Sequence, residues 1–365
     1  METYVGKILA RLLVIVLITS HVVVAEKLSV ESKIGFDDHN LGTKNSTEED
    51  HSQNVTGIRR VLLTTFVFNN PDRPCYTQFF VQGQPPEGLR GPRNGFTRYI
   101  CQPPTPDQEH TYYATMFDEH FGIAVFSAYT LWRDPGEGKG DLFQGGNRRA
   151  WTATPGILRQ GSDMLYSDQT VDPRTKIKIY QKGHLAPAHT LSRTQAGYES
   201  TFTYTNAVPQ CQRFNGRAHW AKYENRIRTA AMLCTEAQPG QQAAVLYLLT
   251  GTSFAHILPG DPPNSNQPNI EAFNQNHPTI AIPNSLWTAG SCARPNGAAV
   301  SFAVMGNNVQ DGGAERTRQI TVTELQNILT ADVRHHDLAG GNVNLFPGNP
   351  NCLNDLAQDL LRIKN

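Results

Sequence analysis

The order of apolar, β-branched and turn-forming segments predicts an α+β fold built on a mixed, largely antiparallel sheet. Short runs rich in β-branched and aromatic residues follow one another without the alternating helices of parallel βαβ units. Amphipathic helical spacing is confined to a few segments late in the chain. A hydrophobic content of 39% over 365 residues is ample to bury a core.

The first 25 residues, METYVGKILARLLVIVLITSHVVVA, set Lys7 and Arg11 ahead of an apolar run from Leu12 to Ile18. With small or apolar residues at Val23 and Ala25, this is the pattern of a secretory signal peptide cleaved after Ala25. Polar Thr19, Ser20 and His21 interrupt an apolar run already shorter than the ~20 residues a bilayer span needs. No later segment is apolar enough over a sufficient length to span, so no stable membrane association is expected. Residues 26–60 are polar and turn-rich, holding seven acidic residues against three lysines before Arg59-Arg60, too polar to fold alone. They read as a flexible tail or as a removable acidic pro-segment.

Export explains other features. Cys75, Cys101, Cys211, Cys234, Cys292 and Cys352 lack CxxC spacing and suggest up to three structural disulfides, with connectivity open. Asn45 in NST and Asn54 in NVT are glycosylation sequons. From residue 61 to 365 no linker or repeat divides the chain, which reads as one compact unit.

The strand candidates are residues 112–116, 123–131, 175–180, 201–206, 243–250 and 298–305. The glycine-rich stretch 133–149 lacks GxxxxGK[ST] and reads as a surface excursion rather than a phosphate-cradling loop. In TKIKIYQKGH the lysines and isoleucines alternate, so Ile177 and Ile179 face a core and the strand delivers His184 at its end. Gly183 permits close approach beside the ring, and Pro187 turns the chain away. A strand at 201–206 and a turn at Pro209 lead into a helix at 217–233, whose buried stripe is Trp220, Tyr223, Ile227 and Ala231. Asn215 stands before that helix, where an amide can cap it. Further helices are expected at 323–329 and 352–363.

Strand, turn, strand and a helix preceded by Asn form an order that can assemble one histidine and one metal ion. QKGHLAPA, TNAVPQ and FNxxxxWAKYE together resemble the secreted DNA/RNA non-specific endonucleases of the ββα-metal (His-Me finger) fold. CYTQFFVQGQPPEGL, YICQ, YYATMFDEHFGIAVFSAYTL and IPNSLWTAGSC resemble its endonuclease domain-containing 1 branch, and the likeness runs from Phe66 to Asn307. The resemblance implies hydrolysis of DNA and RNA to 5′-phosphate ends. It gives His184 the role of general base, Asn215 that of side-chain Mg2+ ligand, and Glu224 that of a carboxylate holding metal-bound water. Mn2+ is a substitute ion. Arg149, in RAW, matches an arginine that contacts phosphate, while Asn206 orients the site.

Two features depart from the family. DRGH is QKGH here, so Gln181 replaces an acid and Lys182 an arginine, a point charge in place of a bidentate fork. The Asn215-to-Trp220 spacing is one residue longer, which would turn Asn215 by about 100° on a continuous helix. The extra residue is therefore expected before the first regular turn.

The chemistry suits these residue types. A neutral imidazole accepts a proton from water near neutral pH, and a cation on a neutral amide keeps its charge for the phosphoryl group. The chain is formally neutral, yet residues 148–228 carry thirteen Lys or Arg against five Asp or Glu, concentrating positive charge where a polyanion is expected. Neither GxSxG nor HExxH occurs, which sets aside the serine hydrolases and zinc proteases those motifs mark. The competing reading is a catalytically weakened homologue that binds nucleic acid or another partner outside the cell.

Overall fold

Eight strands form one antiparallel sheet, and a separate two-stranded pair carries the histidine. The computed structural model describes residues 67–89, 95–102, 111–134, 142–167, 179–216, 219–236, 243–258, 280–310, 316–332 and 341–353. All lie in the compact unit Leu62–Asn365. The signal peptide, the acidic segment, both sequons and the core-facing Ile177 fall outside the described residues.

The large sheet comprises β1 (Val67–Phe68), β2 (Thr97–Gln102), β3 (Tyr113–Asp118), β4 (Ile123–Leu131), β7 (Val245–Ser253), β8 (Ser285–Ala293), β9 (Ala299–Asn307) and β10 (Arg318–Ile320). Its middle strands are apolar on both sides because both faces are covered. On β9, Phe302 and Val304 enter one core while Ala303 and Met305 enter the other, the period-two alternation of a strand. One layer comprises α1 (Pro74–Thr77) and α6 (Val322–Thr330), which bury Tyr76, Val322, Leu325 and Leu329. Thr321 caps α6 by accepting from the Glu324 N–H at 2.9 Å. The opposite layer comprises α2 (Asp163–Ser167), α3 (Gln195–Ser200) and the unit made by β5 (Tyr180–His184), β6 (Ala207–Cys211), α4 (Gln212–Asn215) and α5 (Trp220–Cys234).

The α+β class and the antiparallel sheet agree with the sequence reading. All strand ladders among the described residues are antiparallel; the parallel element is an isolated bridge between Thr152 and Thr203. Several local expectations are corrected. Residues 201–206 are not a strand: Tyr204–Asn206 is a 3-10 turn leading into β6. Pro209 is not a turn but sits inside β6, paired with Lys182. Leu185 N–H bonds Asn206 and Gln212 N–H bonds Ile179, so alternation makes Lys182 and Pro209 a non-hydrogen-bonded pair. The proline therefore sacrifices no ladder bond.

The helix expected at 217–233 is α5, which begins at Trp220, and a separate short helix, α4, precedes it. Asn215 ends α4 and does not cap α5, whose preceding residue, His219, has φ −120° and ψ −108°. Asn215 and Trp220 thus lie on different helices, so one continuous helical period does not set their relative rotation. Phe214 stacks on Trp220 at 5.2 Å across it, and both are fully buried.

Two disulfides form, Cys75–Cys101 and Cys234–Cys292; Cys211 and Cys352 are buried thiols rather than a third bridge. The second bridge ties the end of α5 to β8. Of the expected C-terminal helix, the described part is a 3-10 turn, Pro350–Leu353.

Candidate active site

His184 is the last residue of β5, and the turn after it is held by Asn206. The Asn206 Oδ1 accepts from Ala186 N–H at 2.8 Å and from the Ser127 hydroxyl at 3.0 Å; its Nδ2 donates to Ala186 O and Thr201 O, both at 3.0 Å. All four bonding positions of this fully buried amide are used, so it clamps the chain beside His184 and has no free atom for chemistry.

The half-buried imidazole lies against Trp151, with ring centroids 4.6 Å apart, and edge-on to Phe202 at 4.8 Å. Its Nε2 is shielded from solvent and has no hydrogen-bond partner among protein atoms. Burial lowers its pKa to about 3, with the Arg148 and His189 charges pushing the same way. The ring is therefore neutral throughout the ordinary pH range.

Close packing positions the strand. A Cβ on Gly183 would stand 2.0 Å from the Gln210 side-chain carbon, so the glycine is where β6's glutamine crosses β5. Strand alternation puts Lys182 and His184 on one face of β5 and Gln181 on the other. Asn215 Nδ2 donates to Gln181 Oε1 at 3.0 Å. A cavity of about 510 Å³ wraps this end of β5, lined by Arg148, Asp163, Tyr166, Gln181, Lys182 and Asn215 among others. His184, Glu224 and Arg149 are not among its lining residues. The structure thus brings Lys182 and Asn215 to one space, with His184 two residues further along the strand and sharing Trp151 with Lys182.

Lys182 Nζ is 2.5 Å from Asp163 Oδ1 and lies 5.6, 5.7 and 6.0 Å from the ring centroids of Trp151, Tyr204 and Tyr166. Hydrogen bonds from Lys182 and then Tyr204 lower the Asp163 pKa. Glu224, on α5, is half-buried; burial raises its pKa to about 7 against the opposing pull of Arg228 and Trp220. Its charge also disfavours ionisation of the buried Tyr129 on β4.

Arg149 is exposed and pairs with Glu199 at 3.6 Å. Its neighbour Arg148, which sequence reasoning passed over, lines the cavity and acts on His184. Nothing in the RRAW string separates the two arginines; only the fold of the loop does. Asp163 was likewise unmarked, because it reaches the site from α2, nineteen positions before Lys182.

The donor set fits a hydrated hard cation. Gln181 engages the Asn215 nitrogen, which leaves the carbonyl oxygen as the atom available to a cation, while the Asp163 carboxylate in the same cavity is taken by Lys182. Among the described residues no three His, Cys, Asp or Glu side chains gather as a metal cluster, so most of the coordination would be water.

The human (Homo sapiens) endonuclease domain-containing 1 protein is 26% identical over 235 residues, 60% of this chain and 39% of that protein. This chain therefore spans about two fifths of that relative's length. The crystal structure of the EndoG/EndoGI complex aligns at 17% identity and a TM-score of 0.39, covering 61% of this chain and 82% of that one. The family model described as DNA/RNA non-specific endonuclease matches residues 94–339, more than half the sequence and all the candidate site residues. The chain belongs to the DNA/RNA non-specific endonuclease family.

Proposed function

We propose that this protein is a secreted, magnesium-dependent endonuclease that hydrolyses phosphodiester bonds of DNA and RNA, manganese being able to replace magnesium. The observation that carries the reading is the cavity at β5, where Asn215, Lys182 and Arg148 meet beside the strand bearing His184. Lys182 and Arg148 bind the scissile phosphate, and Arg149 takes a neighbouring backbone phosphate on releasing Glu199. These contacts address the backbone, so base sequence goes unread.

Neutral His184 accepts a proton from the attacking water at Nε2, the nitrogen left without a protein partner. An anionic phosphate arriving beside the ring raises its low pKa and makes it a better base. Asn206 holds the turn that fixes the ring, and Glu224, near half ionised at neutral pH, holds water. Asn215 would hold the ion, which when bound supplies charge stabilisation to the phosphoryl group and the departing 3′ oxygen. No covalent enzyme intermediate is required.

A second reading, a weakened homologue that binds nucleic acid outside the cell, is favoured by one feature: Trp151 and Phe202 cover His184 while Asp163 occupies Lys182. A plasmid-nicking assay with and without EDTA separates the two. Nicking that EDTA and His184→Ala each abolish, with the variant's fold intact by circular dichroism, supports the enzyme. Binding without nicking supports the second reading, and full activity in His184→Ala removes the proposed base.

A further inference from the structure

We propose that Asp163 is a latch on Lys182, holding in the free protein the ammonium that a substrate phosphate must take and so setting how tightly the cavity accepts a polyanion. The inference rests on the nuclease reading above and names a residue that tunes its substrate affinity.

The two partners of the ion pair are unequal. Lys182's side chain is 21% exposed and is surrounded by three aromatic rings, whereas Asp163's is 72% exposed. The lysine is held by packing, and the acid is mostly in water, its other partner being the Tyr204 hydroxyl. A phosphate oxygen can replace the carboxylate oxygen on the ammonium and keep a charge-assisted hydrogen bond there. The displaced carboxylate is then rehydrated at little cost, because it is already mostly solvated.

Asp163 is also the one acidic residue among the described residues lining the cavity, opposite Arg148 and Lys182. Until it leaves, it repels an incoming polyanion and satisfies the cation that should attract it. The contact is separable from the fold of α2. Ser162 Oγ, not Asp163, accepts the Leu165 N–H at 3.1 Å, so Asp163→Asn preserves that cap.

The test measures binding of a fluorescein-labelled single-stranded DNA oligonucleotide to the full chain by anisotropy, in EDTA to prevent cutting and across a range of salt. Asp163→Asn is expected to bind about fivefold more tightly, the upper range for one exposed ion pair. Its log–log salt slope should stay close to that of wild type, because Lys182 meets the same phosphate in both proteins. Lys182→Gln and the double variant should bind alike, since the latch acts through the lysine. In the nicking assay Asp163→Asn should lower KM. Wild-type affinity in Asp163→Asn, or equal tightening when Lys182 is already Gln, overturns the latch while leaving the nuclease reading standing. Failure of the wild type to bind or cut any nucleic acid overturns both, so the two failures are distinguishable.

Discussion

The covered imidazole of His184 makes acid a sharp perturbation. A histidine whose pKa falls from 6.5 to about 3 on folding binds its proton in the unfolded chain first. Its contribution to stability is therefore fully present above pH 6.5 and is lost progressively as pH falls through that value toward 3. At pH 4 the difference is worth up to about 3 kcal/mol, from 1.36 kcal/mol for each pH unit below 6.5. The ring is half-buried, so we halve that to about 1.5 kcal/mol for solvent screening. The assay compares urea unfolding of wild type and His184→Gln at pH 7 and pH 4, in EDTA. Carboxylate titration affects both proteins alike, so the change in their difference isolates the imidazole. Wild type should lose about 1.5 kcal/mol more than the variant on going to pH 4, and its ring proton signal should not titrate between pH 8 and 5. A midpoint near 6.5, or a difference between the proteins that does not move with pH, would refute the burial argument and the neutral-base reading built on it.

Glu224 behaves in the opposite sense: its folded pKa is raised to about 7, so stability falls as pH rises from 4.5 through 7, and Glu224→Gln should be spared. After halving for its partial exposure, the variant should gain about 2 kcal/mol over wild type between pH 4.5 and 8, read by urea titration. Because the ionised form is the one proposed to hold water, kcat/KM of the wild type should rise through about pH 7, and Glu224→Gln should show a lower, flat profile there. Removing the bridge between Cys234 and Cys292, which are 58 residues apart, should cost about 4 kcal/mol by loop entropy. The double Cys→Ala variant tests this by its urea midpoint; an unchanged midpoint would mean that packing alone holds α5 to β8.

What the sequence made legible was whatever depends on local pattern. The run Ile123–Leu131 was read at its limits because apolar and β-branched residues dominate it, interrupted only by Ser127 and Thr130. The strand at Ser285–Ala293 was missed because glycine, serine and threonine dilute the same signal, although every residue from Ser285 to Cys292 is buried. Pro209 misled because a proline is disallowed in a ladder only where its N–H must donate, and register alone decides that. The site divides along the same line. His184, Asn206, Lys182, Asn215 and Glu224 lie on motifs with fixed spacing, whereas Arg148 and Asp163 join the cavity through the path of loops that no local pattern encodes.

The two departures from the family's motif have a joint electrostatic consequence. With glutamine at 181, the group that accepts from Asn215 Nδ2 is neutral, so the strand sets no fixed negative charge against Asn215. The cavity's negative charge comes instead from Asp163, whose exposed side chain can move. An acid built into β5 would stay when substrate arrives; an acid carried on α2 can withdraw. The lysine completes the exchange, because a point charge can pass from one oxygen to another without breaking a bidentate fork. Gln181, Lys182 and Asp163 therefore form one electrostatic unit, and restoring Asp at 181 alone should weaken polyanion binding by placing a second, immovable negative charge at the head of β5.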